Sequence, residues 1–354
     1  MKFKINQFEI GNSEPVFFIA DIAANHDGDL GRAKELIWLS AEAGANCAKF
    51  QHFEAETIVS DYGFNKLGSQ QSHQKSWKKS VFKTYQEASL NKDWTEELKK
   101  TCDEAGIVFM TSPYSIELVD FVDEFLTAYK IGSGDITWLD IIKHICTKGK
   151  PVILASGASS LSDVELAMAV ISESGNPSVL MQCNTNYTAA ENNFDYINLN
   201  VLKTYRKKFP DAILGLSDHT HGCSSVLGSV ALGARVIEKH FTDSCERVGP
   251  DHKFSMNPKT WREMVDRSRE LEASLGNGSK VVEENEKETV VLQRRALRAT
   301  RKLSANNKIQ EGDLFPLRPC PEDAIKPAEL KNIINKELIN DIPEGEVIKW
   351  NDLK

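Results

Sequence analysis

Two histidines, His219 and His240, each follow a short apolar run: Ile213 to Leu216 leads to His219, and Val236 to Ile237 leads to His240. A helix-like segment, Cys223 to Gly233, separates the two runs. Histidines at matching depth on neighbouring strands can share one divalent ion through ring nitrogens, leaving other coordination positions for a ligand. The alternative is two ordinary histidines satisfied by hydrogen bonds. Two lysines, Lys49 and Lys130, also fall inside apolar runs, where an ammonium is costly to bury without an anion. They point to a phosphate or carboxylate ligand, or to a structural ion pair with Asp21 or Glu238. Asp21, Glu238 and Asp135 are candidate acid or base groups, and equally candidate counter-ions of the lysines. "GSGD" (132–135) can offer backbone N–H groups to the same anion. His52, His221 and His252 are expected to be loop contacts away from this chemistry.

These residues sit at the ends of regularly spaced β-rich runs. Strands are expected at 16–23, 47–51, 108–112, 128–133, 151–156, 179–184, 213–218 and 235–241, with amphipathic helical segments between them. In "LGRAKELIWLSAEAG", Ala33, Leu36, Ile37, Ser40 and Ala41 share one face and Gly44 ends the helix. "SLSDVELAMAVISESG" has Ser162 and Glu165 at the spacing of a capping box. Nearly continuous apolar strands alternating with helices predict parallel pairing with both faces covered. Eight such units in about 260 residues predict an α/β fold of the (β/α)8 TIM-barrel type, with a doubly wound open sheet as the alternative. In a barrel the site forms at the C-terminal ends of the strands, where all eight runs here end in polar groups.

Two stretches exceed a minimal barrel. Residues 52–90 are a long excursion rich in Ser, Gln and Lys, expected to be a lid or an interface. After the barrel (1–275), a Gly-rich and charged linker (276–292) leads to a second small domain of short strands and turns (293–354). The 354 residues are 41% hydrophobic, enough for a large core, and carry a net charge of −8. The acidic balance argues against nucleic acid or an anionic membrane as a main partner. No apolar run approaches the roughly 20 residues of a membrane span. The start "MKFKINQFEI" reads as a strand or hairpin rather than a signal peptide. Seven cysteines without a CxxC pair fit reduced thiols of a cytoplasmic protein.

Taken together, "ANHDG", "AKFQ", "TSPY", "YKIGSGD", "GLSDHT", "VIEKHF" and "RVGPDHKFSMNP" closely resemble the sialic acid synthase family. That family condenses phosphoenolpyruvate with N-acetylated sugars to nine-carbon nonulosonic acids. The tail resembles the antifreeze-like (β-clip type) domain that such enzymes carry. The resemblance implies a domain-swapped homodimer and a divalent metal, Mn2+ with Mg2+ or Co2+ as alternatives, on His219 and His240. It implies phosphoenolpyruvate contacts at Lys49, Thr111, Lys130, Ser133 and Ser217; Ser156 and Thr185, at neighbouring strand ends, are added to that set. It implies sugar contacts at Gln51, Asp135, Tyr187, Asp251 and, from the tail, Arg318. Asp21 or Glu238 would handle the attacking water.

There are departures from the family pattern. Asp21 and Asp135 stand where glutamates are common, Ala155 stands where a phosphate-contacting serine is often found, and "CNTNYTAAENN" replaces the usual "CTxxYP". The last change bears on the sugar more than on the reaction. N-acetylmannosamine, a diacetamido-trideoxyhexose and an altrose analogue all stay open as acceptors. Two rival readings remain. One is condensation with a phosphorylated sugar, as in the octulosonate synthases. The other is a non-catalytic carbohydrate- or ice-binding protein, which the charged tail and the polar strand ends argue against.

Overall fold

The computed structural model describes residues 2–67, 74–75 and 77–354. The chain divides into two compact units, Met1–Gly276 and Asn277–Lys354. The first opens with an antiparallel hairpin of β1 (Lys2–Ile5) and β2 (Phe8–Gly11). Eight strands follow: β3 (Phe17–Asp21), β4 (Cys47–His52), β5 (Val108–Pro113), β6 (Tyr129–Ile131), β7 (Val152–Ala155), β8 (Ser178–Cys183), β9 (Ile213–Asp218) and β10 (Val236–His240). They form one parallel sheet in the order β5-β4-β3-β10-β9-β8-β7-β6. Its end strands, β5 and β6, lie against each other, so the sheet is a nearly closed barrel rather than an open one.

Strand alternation sorts every barrel residue to one of two faces. Phe18, Ala48, Phe109, Tyr129, Leu154, Leu180, Leu214 and Ile237 face outward and join the core formed with the helices. Phe17, Cys47, Met110, Ile153, Val179, Ile213 and Val236 face inward and fill the lower barrel. Ile5 and Ile10 of the hairpin belong to that inner cluster, and the Phe8 ring meets Phe17 edge-on at 5.4 Å, so the hairpin stops the bottom of the barrel.

The helices follow from capping and periodicity. Asp29 caps Leu30–Glu42 by accepting from Arg32 N–H, and Ala33, Leu36, Ile37 and Ser40 form its buried face. Ala41 is only partly buried. The helix Leu161–Ser174 starts two residues earlier than its sequence suggested. Ser160, not Ser162, is the cap, and Asp163 rather than Glu165 closes the capping box. Ser162 already lies in the first turn, where its extended-backbone role as a cap is lost. The excursion after β4 carries three short helices, Ala55–Ile58, Asp61–Lys66 and Val81–Ala88; residues 68–73 and 76 lie outside the described set.

The second unit has its own core of Leu297, Leu303, Ile309, Leu314, Ile325, Ile333, Leu338, Ile342 and Ile348. Its two strands, β11 (Ala296–Ala299) and β12 (Leu314–Leu317), pair antiparallel. Among the described residues no helix is long and apolar enough to cross a membrane.

Gly215 on β9 points into the filled barrel. A Cβ there would sit 2.7 Å from the Val236 carbonyl oxygen and 2.9 Å from Met181 Cγ. Gly215→Ala is therefore expected to destabilise the barrel by about 1–3 kcal/mol, read as a lower urea midpoint. An unchanged midpoint would mean that the interior has slack at this level.

Candidate active site

Above the apolar layers the inward positions turn polar. Asp21, Lys49, Gln51, Ser112, Lys130, Cys183, Ser217, Glu238 and His240 end their strands on one face, and His219 follows β9. They line a cavity of about 370 Å3 at the C-terminal ends of the strands. Four of these groups form a buried ionic floor. Lys49 Nζ donates to Asp21 Oδ2 at 2.7 Å and lies 3.9 Å from Glu238 Oε2. Lys130 Nζ lies 3.1 Å from Glu238 Oε1, which also accepts from Ser217 Oγ at 3.1 Å. Gln51 Nε2 donates to Asp21 Oδ2 at 3.1 Å. All four charged residues are at most 4% exposed.

Burial works against the Glu238 carboxylate, but Lys130 and Lys49 outweigh it and hold its pKa down to about 2. Asp21 is pushed up from the usual carboxylate range by burial, which its bond to Lys49 only partly offsets. The lysines are thus both ion-paired and placed at the floor of a cavity. The ligand and ion-pair readings of their sequence position describe the same residues.

His219 and His240 stand side by side, with ring centroids 5.4 Å apart. His219 Nδ1–H donates to the Asn184 carbonyl at 2.9 Å, which leaves the Nε2 lone pair bare. His240 Nδ1 is buried and makes no hydrogen bond; Nε2 is 3.6 Å from Asp21 Oδ2. Burial, together with each ring's cationic or imidazole neighbours, holds both pKa values down to about 3, so both rings are neutral and can donate lone pairs. Glu238 Oε2, also buried, accepts no hydrogen bond. Four carboxylates (Asp21, Asp135, Glu238 and Asp251) face two ammonium groups in one cavity. Neutral imidazoles, unspent carboxylate oxygens and excess negative charge fit a divalent cation. Among the described residues, no three His, Cys, Asp or Glu side chains gather into a complete metal cluster.

A second wall is aromatic. Phe53, Trp77, Tyr85 and Tyr114 line the cavity. Phe53 meets Tyr85 at 5.4 Å and Tyr114 at 6.1 Å. Tyr187 packs on His219 at 4.3 Å, and Phe254 on His240 at 4.8 Å. Asp135 and Asp251 also line this cavity, and burial raises each to about 6. Asp251 Oδ2 accepts from Ala24 N–H at 3.1 Å.

The structure gathers most of the residues picked from the sequence and turns three aside. Asp21, Lys49, Gln51, Lys130, Ser133, Asp135, Tyr187, Ser217, His219, Glu238, His240 and Asp251 all line this cavity. Thr111 does not: its hydroxyl meets His52 Nδ1 at 2.8 Å on the outer face of β5. One residue on, Ser112 faces inward with its hydroxyl unpaired. The correction follows from the two-residue period of the strand, which puts Met110 and Ser112 on the same side. Ser156 likewise turns outward, donating to the Met181 carbonyl and accepting from Tyr205, while Ala155 faces the cavity. Thr185, past the end of β8, lines a neighbouring hollow with Ser156. It still packs beside the site. A Cβ on Gly157 would meet Thr185 Cγ2 at 2.4 Å and Ser133 Oγ at 2.9 Å, so only glycine lets Gly157 N–H reach Ser133 Oγ. Asp135 N–H is bonded to the Gly132 carbonyl and is not free for an anion. Arg318 is exposed in the second unit, before Pro319. His52, His221 and His252 are bonded to Thr111 and Thr95, to the Ala189 carbonyl, and to Asp27 and Thr242.

Sequence reasoning noted Ser112 only as a polar strand end and gave no site role to it, to Tyr114, Cys183 or Phe254, or to the aromatic residues of the excursion. Counting alternation outward from Met110 would have found Ser112; nothing local marks the others.

The barrel and its polar end define an enzyme of the (β/α)8 class, and comparison with known proteins identifies which. The model of the NeuB family matches residues 36–280, and that of the SAF domain matches 294–354. The chain belongs to the NeuB family, phosphoenolpyruvate-condensing nonulosonic acid synthases that generally use a divalent metal, and ends in a SAF (antifreeze-like) domain. It is 32% identical to an uncharacterized protein of Methanocaldococcus jannaschii, over 99% of this chain and 98% of that one. It is 32% identical to the N,N'-diacetyllegionaminic acid synthase of Legionella pneumophila, over 97% and 96%. The crystal structure of an N-acetylneuraminic acid synthetase from Leptospira borgpetersenii, in complex with citrate, is similar with a TM-score of 0.72 and 28% identity, over 82% of this chain and 95% of that one.

The raised Asp135 pKa has a measurable sign. The folded pKa of about 6 exceeds the ordinary 3.8, so folding favours the protonated acid. The stability this group contributes is present below about 4 and is lost as pH rises through about 6. Asp135→Asn should therefore gain thermal stability relative to the parent across that window. Parallel melting curves for parent and variant from pH 4 to 7 would contradict the assignment.

Proposed function

We propose that this protein condenses phosphoenolpyruvate with an N-acetylated hexosamine, N-acetylmannosamine or a diacetamido-trideoxyhexose, to a nine-carbon nonulosonic acid and phosphate. The observation that carries the reading is the pair of buried lysines, Lys49 and Lys130, on the same cavity floor as two neutral histidines. Phosphoenolpyruvate brings a phosphate and a carboxylate, and these lysines, with Ser133, Ser217 and Ser112, are the groups suited to hold them. His219 and His240 would hold a divalent metal, manganese first, with magnesium or cobalt as alternatives. When bound, such a metal supplies Lewis-acid polarisation of the sugar aldehyde.

The bond changes then balance. C3 of phosphoenolpyruvate attacks the aldehyde carbon of the open-chain sugar, forming the new C–C bond as the carbonyl π bond opens to an alkoxide that takes up a proton and becomes the new hydroxyl. Water adds to the electron-poor C2, and its proton passes to Asp21 or Glu238. The C2–O bond to phosphate breaks as the C2 hydroxyl gives up its proton to the departing phosphate and closes to the carbonyl, leaving the 2-keto acid. Burial of the floor excludes stray water from C2 until the sugar has reacted.

The acceptor side supports an unphosphorylated sugar. Among the described residues lining the cavity, Lys49 and Lys130 are the ammonium groups, and one phosphoenolpyruvate engages both. The carboxylates there that are not paired with a lysine, Asp135 and Asp251, would repel a second phosphate. They can accept from sugar hydroxyl and amide groups, while the Phe53, Trp77, Tyr85 and Tyr114 rings suit acetamido methyls. A homodimer in which the partner's Arg318 serves this sugar site belongs to the same proposal. Its support is the family resemblance and the exposed, planar donor fork of Arg318.

The test is phosphate release from phosphoenolpyruvate with manganese and a panel of N-acetylmannosamine, its 6-phosphate, the diacetamido-trideoxyhexose and the altrose analogue. Release with one of the unphosphorylated sugars is expected. Release with none, from folded and metal-loaded protein, would overturn the reading. His240→Ala should lower turnover by orders of magnitude with the melting point of the barrel kept. Arg318→Ala should raise the sugar KM and leave that of phosphoenolpyruvate unchanged; unchanged kinetics for both would leave the tail a purely assembly role.

A further inference from the structure

Between Ser217 and His219 at the end of β9, and between Glu238 and His240 on β10, lies a charged residue that faces the other way. Asp218 and Lys239 are direct cross-strand partners in the β9–β10 register. Strand alternation turns both outward, under the helix Ser224–Ala231. There they form an ion pair of 2.5 Å, with side chains 0% and 1% exposed. The other outward positions of these strands are Leu214, Leu216 and Ile237. An aliphatic pair would serve stability as well, because removing two charges from water costs about what their attraction returns. The pair is therefore better explained by geometry than by stability.

The geometry is specific. Asp218 Oδ1 accepts from Thr220 N–H at 3.1 Å, closing a side-chain turn around the intervening residue, His219. Asp218 Oδ2 accepts from Ser225 Oγ at 2.6 Å and from Thr220 Oγ1 at 2.9 Å. Lys239 Nζ donates both to Asp218 and, at 2.6 Å, to the Thr220 carbonyl. The residues on either side of His219 are thus tied to the residue before His240. The cavity wall carries the histidine rings, and the outer face of the same two strands carries the clamp.

We infer that the Lys239–Asp218 pair is a positioning device that sets the separation of His219 and His240 for a shared divalent cation. The inference rests on the metal assignment proposed above. Outer groups that orient metal ligands typically change affinity ~10–100-fold when removed. Neither residue touches substrate, so both are positioning residues rather than catalytic ones.

The experiment measures manganese(II) binding to the full chain by the loss of the free-ion paramagnetic resonance signal, alongside the melting temperature. Removing one partner alone strands a buried charge, so the informative protein is the double variant Lys239→Met/Asp218→Asn. The asparagine keeps the turn acceptor for Thr220 N–H, while the ammonium tether to β10 is gone. The expected result is a melting temperature close to that of the parent and a manganese Kd raised ~10–100-fold. A folded double variant with unchanged Kd would overturn the inference alone. A double variant that does not fold would also overturn it, since the pair would then hold the barrel and not the histidines. A parent protein that binds no manganese would instead remove the metal assignment, and this inference with it.

Discussion

Keeping two ammonium groups dry inside a barrel is the demand to which the rest of this structure answers. Lys49 and Lys130 leave water almost completely, and each needs a carboxylate within hydrogen-bonding reach. Asp21 and Glu238 meet that need and thereby become neighbours, so one carboxylate is pushed up while the other is held down. The same dry environment keeps His219 and His240 neutral. A floor that is charged yet internally paired can exist before any ligand arrives. An anion arriving at such a floor would exchange partners with the lysines instead of creating buried charge, the sense in which a polar site is preorganised.

The sequence carried the scaffold more clearly than the facing of its side chains. Every barrel strand was visible as an apolar run with a polar end, because both faces of a parallel sheet are covered. The histidines and lysines were visible because their types are out of place in such runs. What failed was local phase. "MTSP" offers two hydroxyls, and only the distance from buried Met110 decides that Ser112, not Thr111, faces the cavity. "LASG" poses the same choice between Ala155 and Ser156. Thr185 lies beyond the last paired residue of β8, where alternation no longer dictates direction. The Ser160 cap was missed by two residues because both serines precede an acidic residue at the right spacing. The aromatic wall was illegible for a different reason. Phe53, Trp77, Tyr85 and Tyr114 converge from separate segments, and nothing in local sequence predicts that meeting.

The two faces of the strand ends also divide labour. Inward residues line the cavity, while outward residues such as Asp218, Lys239 and Thr111 fasten the strand ends to helices and to each other. Motifs such as "SDHT" and "EKHF" therefore interleave two functions at a spacing of one residue. A polar strand end read as a single list of site residues mixes them.

The hairpin at the start of the chain has a consequence for traffic. With Ile5, Ile10 and Phe8 stopping the lower end, the ionic floor is reached from the C-terminal ends of the strands, where the described cavity lies. Were an anion held by the floor lysines and a second ligand placed above it, the deeper of the two would have to load first. A barrel stopped at one end makes depth, as well as chemistry, a factor in the order of arrival and departure.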